Sequence, residues 1–80
     1  MIGQPRVVLV GRTGCHLCDD ARAVVAQVCQ VLGVAWVEQD VDSEEGFPPS
    51  YSERVPVILV DGVEHAHFRV DPARLREALR

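Results

Sequence analysis

The sequence predicts an α/β fold with a four-stranded mixed sheet and the element order β-α-β-β-β-α. A β-branched apolar run, Val7-Val8-Leu9-Val10, is followed by apolar residues at helical spacing and then by a second strand pattern, which together make a βαβ unit. Downstream, Asp61-Gly62 separates two further apolar runs and marks a tight hairpin.

Taken in order, Val7 to Val10 has no polar face, as expected of a central strand covered on both sides. Gly11 to Gly14 reads as a loop. From Cys15 onward, Leu17, Ala21, Val24, Val25, Val28, Cys29 and Leu32 recur on one helical face, and Gly33 ends the helix. Val34 to Val41 is the second strand, parallel to the first through a right-handed crossover. Asp42 to Arg54 is polar, carries Gly46 and Pro48-Pro49, and reads as a long loop with at most one helical turn over Ser50 to Arg54. Val57 to Val60 and Val63 to Val70 form the hairpin, its Asp-Gly turn suiting two positive φ angles. Asp71-Pro72 supplies an N-cap and a first-turn proline for a last helix, Ala73 to Arg80, whose apolar face is Leu75, Ala78 and Leu79.

Eighty residues leave room for one domain, 1–80. A 48% hydrophobic and 25% charged composition is that of a folded chain rather than a disordered one. The net charge of −4, with the cationic residues scattered, argues against nucleic acid. All eight cationic residues are arginine, so side-chain Schiff-base chemistry on lysine is excluded. Neither a signal-peptide core nor a run long enough to span a bilayer is visible. Three cysteines do not resemble the multi-bridge framework of a small secreted domain, and a reducing cytoplasm is the expected location.

The chemistry concentrates at Cys15-His16-Leu17-Cys18. Two cysteines three apart at a helix start have Cα atoms about 5–6 Å apart, within disulfide reach. At the helix N-terminus unsatisfied N–H groups and the macrodipole favour thiolate over thiol, and only the thiolate attacks. Arg12 and His16 are nearby groups whose positive charge would add to this, while Asp19 and Asp20 oppose it and suit the first helical turn. Cys15 is therefore the expected nucleophile, with Cys18, one turn inside, resolving the mixed disulfide. The competing reading is a zinc half-site, for which Cys29, His16, His65 and His67 are the remaining ligand candidates; there is no second Cys-x-x-Cys.

Cys29 shares a helical face with Cys18, but eleven residues separate them by about 16 Å along the axis, so it reads as a small core residue. His65 and His67 fall on one strand face, opposite Ala66, Phe68 and Val70, and are expected to face solvent on an edge strand. Trp36, on a face with Glu38 and Asp40, is expected to be partly covered by the long loop. Glu38, Asp40, Asp42, Glu44 and Glu45 read as a solvated rim, or as a surface for a basic protein partner.

Arg12-Thr13-Gly14-Cys15-His16-Leu17-Cys18-Asp19-Asp20-Ala21, Tyr51-Ser52-Glu53-Arg54-Val55-Pro56-Val57 and Asp61-Gly62, in that order, resemble the glutaredoxin-like proteins of the thioredoxin superfamily, in the small form with a reduced second helix. The resemblance runs from about Arg6 to Arg80. It implies a thioredoxin-like fold, a cis Pro56 beside the Cys15 sulfur, and a Val55 backbone offered to an extended substrate. Without it, Pro56 reads as a trans proline opening a strand. Arg12 matches the basic residue with which glutaredoxins hold a substrate carboxylate or activate the thiol. The Gly-Gly pair and acidic stretch with which they hold glutathione is replaced here by Val63 to Asp71, and His16-Leu17 stands between the cysteines in place of a proline-containing pair.

The expected function is a dithiol–disulfide oxidoreductase using Cys15 and Cys18, with Arg12, Val55 and Pro56 binding substrate. It would need no resident cofactor or metal and would act as a monomer on a protein disulfide or a low-molecular-weight thiol, glutathione being a candidate co-substrate. The alternative is a non-catalytic module of the same fold that recognises a protein partner or binds a metal through Cys15 and Cys18.

Overall fold

The computed structural model describes residues 5–42 and 47–80. Its elements are β1 (Val7–Gly11), α1 (His16–Leu32), β2 (Trp36–Asp40), α2 (Tyr51–Arg54), β3 (Val57–Val60), β4 (Val63–His67) and α3 (Pro72–Leu79). The strands form one mixed sheet in the order β2-β1-β3-β4. β1 pairs parallel with β2, Val7 opposite Trp36, and antiparallel with β3, Val10 opposite Val57. The predicted sheet is thus present, and the helical turn expected near Ser50 is α2. Of the predicted acidic rim, Glu44 and Glu45 lie outside the described residues, as does Gly46.

α1 and α3 pack on one sheet face, where Val7, Leu9, Ile58 and Val60 meet Ala21, Val25, Val28 and Cys29 of α1 and Leu75 and Leu79 of α3. Cys29 is a core residue, as its spacing predicts. On the other face Val10 and Val57 are fully buried, while Val8 and Leu59 are half-buried and Val37 is exposed, so β1 is not covered along its whole length on both sides.

Local chemistry sets the element ends. Gly33 adopts φ 67°, and Val34 N–H donates to the Cys29 carbonyl at 2.9 Å, closing α1 with a left-handed cap that a β-carbon would strain. Asp61 (φ 52°) and Gly62 (φ 83°) make the expected two-residue turn. The Asp71 carboxylate accepts from Ala73 N–H at 2.9 Å, with Pro72 in the first turn of α3.

Several expectations need correction. β1 continues to Gly11 instead of ending at Val10, and α1 begins at His16 with Cys15 as its cap. β2 is shorter than Val34 to Val41, because Val34 is consumed in closing α1. β4 stops at His67, not Val70, because Phe68 turns the chain with φ 63°. A bulge between Ile58 and Leu59, paired with Ala66 and Glu64, also breaks the simple alternation that placed His65 and His67 together, and His65 is half-buried. Leu32 and Ala78 are exposed, each near the C-terminal end of its helix. Trp36 is half-buried and packs against the core cluster.

Replacing the α3 cap, Asp71→Ala, is expected to cost about 1 kcal/mol. A lowered urea midpoint with an unchanged slope is the expected result, checked by equilibrium unfolding.

Candidate active site

β1 delivers the chain to the site and α1 carries it away. After Gly11, residues 12–14 turn through Gly14 (φ 79°), and Cys15 enters in extended conformation as the N-cap of α1. Its Sγ accepts the Cys18 backbone N–H at 3.2 Å, in the position that a serine or aspartate oxygen takes at other helix starts. The Cys15 sulfur thus faces the positive end of α1.

The two sulfurs differ in access. Cys15 is part-exposed, Cys18 is buried, and no disulfide joins them. The Cys18 thiol lies against Gly11, where an added β-carbon would stand 3.2 Å from its Sγ and oblige the thiol to shift by a few tenths of an ångström. Burial, followed by interaction with Cys15, pushes the Cys18 thiol up to about 11, while the Arg12 backbone N–H and the charge of Arg22 act in the opposite direction. Burial also raises the Cys29 thiol.

Arg12 is engaged on two sides. Its Nε and Nη2 donate to the Asp42 carboxylate at 2.9 and 3.1 Å, and its two Nη atoms donate to Ser52 at 3.3 Å (carbonyl) and 2.7 Å (hydroxyl). The pairing holds the Asp42 carboxyl below its ordinary range. Arg12 therefore fastens the segment after β2 and the start of α2 to the Cys15 loop. Arg54 does the same at the other end of α2, donating to Glu64 of β4 at 2.7 Å.

Val55 is half-buried and is joined to the fully buried Pro56 by a cis peptide bond. Pro56 immediately precedes Val57, which pairs with Val10, the β1 residue before Gly11. His16 is exposed, and His67 pairs with Glu64 at 3.3 Å.

Sequence reasoning missed the cluster around Arg22. Its Nε and Nη2 donate to Glu38, each at 2.6 Å, and its Nη1 donates to Asp19 at 2.7 Å. With Gly11, Arg12 and Asp40 these residues line a polar recess of about 220 Å³. The Asp19-to-Arg22 spacing was a readable helical pair, whereas Glu38 arrives from β2 and left no local signal. Among the described residues, no group of three or more His, Cys, Asp or Glu side chains converges as a metal site requires.

Residues 6–80 match the family described as Glutaredoxin-like domain (DUF836). The chain belongs to this glutaredoxin-like family. The uncharacterized protein Rv0508 of Mycobacterium tuberculosis is 34% identical to it over 80 residues, covering 94% of this chain and 82% of that protein. Among solved structures, target protein XcR50 of X. campestris superposes with a TM-score of 0.71 at 30% identity, covering 91% of this chain and 93% of that one. Fasciola hepatica thioredoxin follows at TM-score 0.60 and 26% identity, covering 91% and 75%. The glutaredoxin of Archaeoglobus fulgidus, at TM-score 0.60 and 20% identity over 98% and 89%, is alike in fold. This glutaredoxin-like domain therefore has the thioredoxin-like fold, with its near cysteine pair at the head of α1. Among the described residues, no helix is long and apolar enough to cross a membrane.

A thiol raised from 9.0 to about 11 on folding stabilises the protonated folded state. That stability is complete below the unfolded value and is lost as pH climbs through the folded one. The reduced domain is therefore expected to lose stability between pH 9 and about 11, more steeply than Cys18→Ser, as read from urea midpoints across that range.

Proposed function

We propose that this domain is a dithiol–disulfide oxidoreductase in which Cys15 attacks and Cys18 resolves. The observation that carries this reading is the part-exposed Cys15 sulfur capping α1 next to a buried Cys18 thiol.

The Cys15 thiolate attacks one sulfur of a substrate disulfide, forming a mixed disulfide and releasing the other substrate sulfur as a thiolate. Cys18 then loses its proton to solvent and attacks the Cys15 sulfur. The intramolecular disulfide closes, the second substrate thiolate leaves, and two electrons have passed from the cysteine pair to the substrate. Thiols that attack the new disulfide run the same exchange in reverse and restore the dithiol.

Burial of Cys18 suits this order of events. A protonated Cys18 does not compete for substrate, and its attack waits until the mixed disulfide is at hand. Arg12, through Asp42 and Ser52, would position the loop carrying Cys15, while Val55 and Pro56 border the site where an extended substrate would lie. A reducing cytoplasm, which keeps thiols free, is the compartment such chemistry suits.

The test is the Cys18→Ser variant, which should stop the reaction at the mixed disulfide. Incubated with glutathione disulfide or with a model protein disulfide, it is expected to accumulate an adduct on Cys15, read by intact mass and peptide mapping. The native sequence should pass instead to a form lighter by about two hydrogens. Absence of any adduct, or an adduct on Cys29 alone, would overturn the proposal.

A further inference from the structure

Phe68, just past the end of β4, combines features that a packing role does not explain. It sits at φ 63° at the apex of a tight turn in which Arg69 N–H donates to the His67 carbonyl at 2.7 Å. Such a three-residue turn with positive φ is rare and strained, and glycine is the residue that adopts it without cost. Burial gives little in return, since Phe68 remains 44% exposed with its ring edge-on to His67 at 4.9 Å. Strained residues of this kind cluster at active sites, ligand clamps and switch regions.

The turn is held in place from the site side. Phe68 N–H donates to the Pro56 carbonyl at 2.9 Å, and Pro56 precedes Val57, whose partner Val10 is followed by the glycine against which Cys18 packs. The Phe68 side chain lines a groove of about 210 Å³ whose other walls include Leu17, Ala21 and Val24 of α1 together with Val70. Leu17 is the residue between the two cysteines. Asp20 and Arg69, of opposite charge, complete the lining, so neither a carboxylate nor an ammonium group gains a net partner there.

Resting on the oxidoreductase reading above, we propose that Phe68 is a specificity-determining residue. It receives an apolar side chain flanking the disulfide of an extended polypeptide, and so favours polypeptide disulfides over small, hydrophilic ones. A cavity of ~150 Å³ suffices for a benzene-sized group, so this groove suits a single leucine, methionine or phenylalanine side chain. The exchange itself is unchanged: the two electrons still come from Cys15 and Cys18. Apolar contacts of this size discriminate between substrates by about tenfold or more.

The experiment uses two disulfide-linked peptides that differ only in leucine or serine beside the cysteine. The second-order rate at which each oxidises the reduced domain is measured in a single turnover. The native sequence is expected to react about tenfold faster with the leucine peptide. Phe68→Gly should bring the ratio close to one, and Phe68→Leu should keep most of it. Far-UV circular dichroism and a urea midpoint well above the assay condition show that Phe68→Gly is folded, so its ratio reports the lost side chain and not unfolded thiols. A native ratio near one, or an unchanged ratio in Phe68→Gly, overturns this inference alone. Failure of either peptide to oxidise the native dithiol overturns the oxidoreductase reading and the inference with it.

Discussion

The hydrogen bond from the Cys18 amide to the Cys15 sulfur is the point on which the rest of the site depends. One atom closes the first turn of α1 and, in the proposed chemistry, attacks substrate. A thiol is a weak acceptor and a thiolate a much stronger one, so the form that caps the helix well is also the form that reacts. From this fixed start α1 runs to the left-handed cap at Gly33 and lays Ala21, Val25, Val28 and Cys29 on the sheet, which seats Cys18 against Gly11. Helix start, core packing and the unequal access of the two cysteines are therefore parts of a single arrangement.

Around that core, arginines fasten the irregular segments. Arg6 donates to both oxygens of Asp61 in the hairpin turn and to the Leu79 carbonyl at the end of α3, so one side chain joins three elements. Arg12 joins the Cys15 loop to Asp42 and Ser52, Arg22 joins α1 to β2, and Arg54 joins α2 to β4. A planar fork that donates to two acceptors suits this work better than a point charge, which gives a physical use to a composition without lysine. Each exposed pair contributes roughly 0–1 kcal/mol, so their effect lies in position more than in stability. It matters most around α2, whose four residues include none that is buried.

What could be read from the sequence was what local chemistry decides. The apolar run of β1, the Asp61-Gly62 turn, the Asp71-Pro72 helix start and the spacing of Cys15 and Cys18 each carry their cause within a few residues, and each appears as expected. Contacts between distant segments were not legible. Trp36 alternates with acidic residues and so reads as peripheral, yet it packs against the core. Arg12 reads as a cation beside a thiol, but Asp42 and Ser52, thirty and forty residues away, engage it. Phe68 continues an alternating strand pattern, and only the structure reveals that it reverses the backbone.

The proposed chemistry requires unequal sulfurs, a reactive Cys15 beside the buried Cys18 and Cys29. Site-resolved alkylation of the reduced domain at pH 7, followed by mass spectrometry at each cysteine, measures this directly. Cys15 is expected to be labelled at least about tenfold faster than either of the others, in keeping with exposed and buried thiols. Equal and slow labelling of all three would contradict the assignment of Cys15 as the nucleophile.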